Sequence, residues 1–358
     1  MGAVPAGQGA TPRRVFLECT STYASRYNTG IQRAVRNLIN ASAAVKTPPC
    51  TAVIYNGRYL EPIGSLAVER AHATRRASRA SLIDVLRWMF HRVRSGIVRI
   101  LPSESMRNAM FSQRLEYALR RCVYAVQNLR RWAISFRTAV HPPTDFRRGD
   151  VLVLLDSTWN VDLSRELSRA KAAGVEIWAV VNDLIPLQHP DLAPEGSPVV
   201  FDYWLRRTVP YLHGLLGISR SVADATRAHL LTSGIVNQPP RVEYFYLGAG
   251  FEIENQERDP GTLTAVDAAF RDATGGVYLT VGTIEPRKGH SLMLDAFDAL
   301  WSRGTDARLV IFGRLGWRSD ALAQRIRAHP EYTRRLLWFD AGSDIELSLV
   351  GDGATAGS

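Results

Sequence analysis

Apolar residues along this chain follow two rhythms, and their alternation predicts layered α/β structure. Val15–Glu18, Thr51–Tyr55, Val175–Val181, Leu215–Ile218 and Val242–Leu247 are short runs that read as strands. Val151–Leu155 is a continuous apolar run of the sort buried on both faces of a parallel sheet. Between these runs the period lengthens. Gly30–Ala44 places Ile31, Val35, Leu38 and Ile39 on one helical face. Asp162–Ala173, Val199–Leu212 and Ser219–Leu231 are also predicted helices, the last with Ser219 as N-cap. Strand–helix alternation of this kind predicts a doubly wound α/β domain.

The rhythm breaks at the polar stretch Glu252–Gly261 and then restarts. Val277–Val281, Arg308–Phe312 and Leu336–Phe339 read as strands, with helices at His290–Trp301 and Ser319–His329. Two domains are therefore expected, over 15–251 and 276–350, joined by a linker at 252–275. Residues 1–14 and 351–358 are expected to be disordered ends. The second domain has about three strands where the fold commonly has about six. A last helix starts at Asp344 and ends at Val350, so the expectation is of a second domain cut short.

Charge changes the picture in one place. The formal charge is +10, yet 17 Arg and 4 acids lie between Arg70 and Arg148. Basicity belongs to that segment, 64–148, rather than to the fold. Leu82, Val85, Leu86, Met89, Val93 and Ile97 recur at helical spacing, as do Leu115, Leu119, Cys122, Val126 and Leu129. Three readings stay open: a helical hairpin with solvated charges, a helix on an anionic membrane surface, and a nucleic-acid contact. The last is disfavoured, because aromatic residues do not interleave with the arginines. No apolar run reaches the roughly 18 residues a membrane-spanning helix requires, and Met1–Arg14 lacks a signal-peptide core, so a cytoplasmic location is expected. Cys19, Cys50 and Cys122 are irregularly spaced and support neither a disulfide framework nor a metal site.

In open α/β sheets ligands bind beyond the carboxyl ends of the strands. Thr280–Gly289 follows the first strand of the second domain and contains Gly282, Thr283, Glu285, Arg287, Lys288 and Gly289 ahead of a helix. Glycines admit a ligand to the backbone, a helix N-terminus attracts anions, and Arg287 and Lys288 add a planar fork and a mobile point charge. A diphosphate is the natural guest. Solvated loop charges are the competing account, although Lys46, Lys171 and Lys288 are the only lysines in the chain. Gly30 opens the first helix and could approach a phosphate, or could simply follow a capping Asn28 or Thr29. Asp156 and Trp159 follow one strand, and Asn182, Asp183 and His189 follow another. Carboxylate and indole suit a carbohydrate, and capping turns account for the same aspartates equally well. No Gly-x-Gly-x-x-Gly run opens either domain, which argues against a dinucleotide enzyme.

Taken together, Val281–His290 followed by Leu294–Phe297, Leu309–Trp317 and Leu337–Asp344 resembles the retaining GT-B glycosyltransferases of family four, which include bacterial polysaccharide and O-antigen mannosyltransferases. Thr29–Arg33, Asp183–Pro186 and Gly217–Ser221 resemble the family's first domain. The resemblance covers most of Val15–Leu347 apart from the basic segment. It implies two Rossmann-like doubly wound domains facing a cleft, the second incomplete. It also implies transfer of a sugar from a nucleoside diphosphate, GDP-mannose among the candidates, to a polysaccharide or lipid-linked glycan.

On this resemblance Gly30, Gly282, Thr283, Glu285, Arg287 and Lys288 hold the donor diphosphate, and Gly313, Trp338 and Phe339 lie beside its base. Asp183, His189 and Asn182 are the catalytic candidates, and Asp156 and Trp159 face the acceptor. No cofactor or metal is implied, the nucleotide sugar being a co-substrate. Thr283 and Asn182 stand where many members carry Arg and His. The family's Glu-x7-Glu pair is absent, since Glu61 and Glu69 have that spacing in the wrong domain. The alternative is therefore an inactive remnant or binding subunit.

Overall fold

The structure, a computed structural model, describes residues 14–25, 30–64, 66, 142–194, 196–248 and 275–340. The chain divides into two compact units, Met1–Pro190 with Glu195–Leu247 and Asp191–Pro194 with Gly248–Ser358.

The first unit is built on a seven-stranded sheet. In chain order its elements are β1 (Val15–Glu18), α1 (Thr20–Ala24), α2 (Gly30–Ser42), β2 (Cys50–Tyr55), β3 (Leu60–Pro62), β4 (Val151–Leu154), α3 (Ser164–Ala172), β5 (Glu176–Val181), α4 (Ile185–Gln188), α5 (Ser197–Thr208), β6 (Gly214–Gly217), α6 (Arg220–Thr232) and β7 (Arg241–Tyr244). The strand order is β3-β2-β1-β4-β5-β6-β7. All neighbours pair in parallel except β2 with β3. From β1 the chain winds outward through β2 to β3, and from β4 it winds the opposite way. The topological switch point thus lies between β1 and β4, where doubly wound proteins open a ligand crevice.

Leu152, Leu154, Ile177, Ala179 and Leu215 form the buried centre of the sheet, against Leu167 of α3 and Phe201, Trp204 and Leu205 of α5. Cys19, Val35, Ile39, Ala52, Ile54 and Val180 form a separate cluster that includes α2. Ser219 is the N-cap of α6, its Oγ accepting from the Val222 amide at 3.3 Å.

Several expectations need correction. Arg14, assigned to a disordered end, is clamped by Asp150 at 2.6 Å and donates to the Asp145 carbonyl at 2.6 Å. Thr144 and Phe146, assigned to the basic segment, are buried. Phe146 stacks edge-on against Phe16 at 5.4 Å and belongs to the core. The remainder of that segment, with Leu82 to Leu129 and Glu69, lies outside the described residues, as do 1–13, most of 252–275, and 341–358 with the helix expected at Asp344.

The second unit contains β8 (Val277–Val281), α7 (His290–Ser302), β9 (Arg308–Phe312), α8 (Asp320–Arg327) and β10 (Leu336–Phe339). Its described sheet has the order β10-β9-β8, all parallel. Central β9 is buried from Leu309 to Phe312, as the covered middle strand of a parallel sheet should be. Ile284, Leu294, Phe297, Trp301, Ile326 and Leu336 complete its core.

Candidate functional site

In the first unit, the candidates cluster at the carboxyl ends of β4 and β5, but several are occupied by the fold itself. Asp156 leaves β4 at the switch point and is 2% exposed. Its carboxylate accepts from the Ser157 amide at 2.6 Å and from the Thr22 amide on the neighbouring loop. Burial pushes its pKa above the ordinary carboxylate range, and these amide bonds oppose that rise. The carboxylate therefore ties the exit of β4 to the exit of β1. Beside it, Glu18 is buried and accepts from the Thr20 amide at 2.9 Å, while the Tyr55 amide donates to Thr20 Oγ1 at 2.7 Å. Cys19 sits between these acids, and its thiol pKa is driven far up, first by burial and then by the charges of Glu18 and Asp156. It is a protonated core residue rather than a nucleophile.

Trp159 packs against Phe201 and Trp204 with ring centroids 5.7 and 6.2 Å away. Asp183 accepts from the Ile185 amide at 3.1 Å, an Asx turn that starts α4. His189 is exposed at the end of α4, its amide bonded to the Ile185 carbonyl at 2.8 Å. The Asn182 amide nitrogen is buried with no partner among the described residues. Gly30 is the first residue of α2, and a Cβ there would meet nothing within 4 Å, so packing does not demand glycine. The preceding Arg26–Thr29 lie outside the described residues.

In the second unit the strand ends knit the candidates into one surface. The Gly282 amide donates to the Phe312 carbonyl at 2.9 Å, and the Gly313 amide to the Phe339 carbonyl at 2.8 Å. The Trp338 indole donates to the Gly313 carbonyl at 2.8 Å. A Cβ on Gly313 would lie 1.9 Å from the Gly282 carbonyl oxygen, so glycine is required where the two loops touch. Phe339 stacks on Phe312 with centroids 6.1 Å apart.

The turn that follows is organised by Glu285. Its buried carboxylate pairs with the Arg287 guanidinium at 2.6 Å and accepts from the Trp317 indole at 3.0 Å. Lys288 is exposed and makes no ion pair among the described residues. Its side chain passes close to Gly282, with Cε 3.9 Å from where a Cβ there would stand. Thr283 is half-buried in the same loop. Gly289, in the left-handed region at φ 69°, reverses the chain into α7. No side chain caps this 13-residue helix and no acid occupies its first turn, so its positive end is bare. The sequence pattern pointed to this loop but not to Trp317, nor to His290, which opens α7 fully buried. An indole 28 positions beyond the turn's last residue, Gly289, leaves no local signal.

Among the described residues no helix is long and apolar enough to cross a membrane, and no group of acids, histidines or cysteines is placed to hold a metal ion.

Sheets of this topology, parallel but for one edge pair, define a doubly wound α/β protein, and in the second unit a basic glycine-edged turn runs into a helix end that no side chain caps. No protein-family model matches the chain. It is 30% identical over 288 residues to the serotype-specific mannosyltransferase WbdA of Escherichia coli, a match covering 76% of this chain and 34% of that protein. The chain thus spans about a third of the length of this curated relative. Among solved structures it is similar to the α,α-trehalose 6-phosphate synthase of Burkholderia multivorans, with 10% identity and a TM-score of 0.43 over 95% of this chain and 76% of that one. It is also similar to Anabaena HepE in complex with UDP and glucose, with 12% identity and a TM-score of 0.42 over 95% and 72%.

Proposed function

We propose that the chain belongs to a glycosyltransferase that takes a sugar from a nucleoside-diphosphate sugar, GDP-mannose foremost, and passes it with retention to a polysaccharide or lipid-linked glycan. The observation that carries this reading is the turn Gly282–Gly289. It sets an exposed Lys288 and a Glu285-braced Arg287 beside the uncapped N-terminus of α7. That is an electrostatic cradle for a diphosphate, and its positive charge would stabilise the leaving group as the glycosidic bond breaks. The similarity to WbdA supports sugar as the transferred group and mannose as its kind.

In this reading Gly282 and Thr283 line the diphosphate, and Gly313, Trp338 and Phe339 border the base. Asn182, Asp183 and His189 are assigned to catalysis, and Gly30 approaches the phosphates. Asp156 and Trp159 act on the acceptor only through the shape of the loop they hold, since both are packed into the first unit. The enzyme is placed on the cytoplasmic side, with its acceptor glycan as partner.

Calorimetric titration of the chain with GDP, GDP-mannose and UDP tests the proposal. Wild type should bind at least one of them, and Lys288→Ala should weaken that binding about tenfold or more, equivalent to ~1.4 kcal/mol. Arg287→Ala should act in the same direction. Absence of binding to all three, or indifference to Lys288→Ala, would sink the assignment.

A further inference from the structure

His290 is the first residue of α7 and is 3% exposed. It heads the buried stripe of that helix, which continues through Leu294, Phe297 and Trp301. Since these three belong to the core on the sheet, the imidazole lies at the carboxyl ends of the strands, next to the turn Gly282–Gly289. Neither Nδ1 nor Nε2 has a hydrogen-bond partner among the described residues. An apolar side chain would fill the same place without giving up bonds to water, so histidine here is an unfavourable choice for packing alone. Burial holds the imidazole below its ordinary pKa, the charge of Lys288 pushes the same way, and Glu285 opposes both. The ring is therefore neutral at pH 7, with one N–H to donate and one bare nitrogen.

Three consecutive residues thus share one deficiency. Lys288 has no counter-ion among the described residues, Gly289 leaves the helix uncapped, and His290 buries a donor without an acceptor. A single anion on the first turn of α7 would answer all three. We propose that His290 is a positioning residue for that anion, its buried N–H turning to a phosphate oxygen of the bound diphosphate. This rests on the diphosphate reading of the turn and adds a residue to it. A phosphate beside the ring favours the imidazolium, so binding raises the pKa of His290 and takes up a proton.

The test uses the whole chain, with inorganic pyrophosphate and GDP as probes. His290→Phe should melt at or above the wild-type temperature and bind GDP about tenfold more weakly or worse. In wild type, the ring followed by nitrogen-15 NMR should titrate about one pH unit or more higher when saturated with GDP. If His290→Phe does not fold, His290→Gln and the wild-type titration decide the matter. Wild-type affinity in the variants, or an unmoved ring titration, would overturn the proposal. Two failures separate cleanly. If wild type binds GDP through Lys288 while His290 is indifferent, only this inference falls. If wild type binds neither probe, the diphosphate reading falls with it.

Discussion

Asp156 and Glu331 are carboxylates used in opposite senses. Burial raises the pKa of Asp156 despite the amides of Thr22 and Ser157 that bond it. The stability it contributes is therefore fully present below its unfolded value and is lost as pH rises through the folded one. Glu331 is held down to about 2, chiefly by hydrogen bonds from Arg335 and then from Arg334, at 2.8 and 2.6 Å. Its contribution is present above about pH 4.5 and is lost as pH falls toward 2. Urea titrations at several pH values should show the wild-type advantage over Asp156→Asn shrinking as pH rises above about 4. The advantage over Glu331→Gln should shrink on acidification instead, and identical pH profiles would refute the argument. Glu285 acts locally by fixing Arg287. Glu285→Gln should weaken GDP binding about three- to tenfold with the fold retained, the loss of roughly 1 kcal/mol expected when a half-exposed ion pair goes. Unchanged affinity in calorimetry would show that Arg287 needs no brace.

At the scale of elements, hydrophobic rhythm was sufficient for the strands. β1, β8, β9 and β10 lie where the apolar runs placed them, and β9, the covered middle strand, is the one of these buried along nearly its whole length. Short pieces governed by polar contacts were not legible. β3 was missed because its place depends on distant residues. The Leu60 amide donates to Glu166 of α3 at 3.0 Å, and the Thr144 amide to the Leu60 carbonyl at 2.8 Å. Glu166 itself sits in a helix that reads as polar and solvated, yet it is buried and paired with Arg169 at 2.7 Å. β7 was read too long, since Tyr246 and Leu247 look like strand residues but stand exposed past its end. The turn Gly282–Gly289 was legible as a motif, whereas the contact between Gly282 and Gly313 was not, because 30 residues separate loops that only sheet pairing brings together. That contact makes a prediction. Gly313→Ala should destabilise the second unit by more than about 2 kcal/mol in urea denaturation, the cost of forcing a methyl group into a neighbouring carbonyl. A wild-type midpoint would mean the loops part freely.

At the scale of the molecule, two units with separate cores divide the work between them. In the first, Glu18, Thr20 and Asp156 hold the loops at the switch point, while the buried Asn182 amide nitrogen has no partner among the described residues. The second leaves a cation, a helix end and an imidazole unanswered within three residues, among the described residues. Ligand binding should therefore register most strongly there, adding about 2.7 kcal/mol of stability at a hundredfold excess over Kd. The most direct measurement is a backbone amide map of the isotopically labelled chain titrated with GDP. The account predicts the largest shifts at Gly282, Lys288, Gly289, His290 and Ser291. Shifts confined to the first unit, or none at saturating nucleotide, would contradict it.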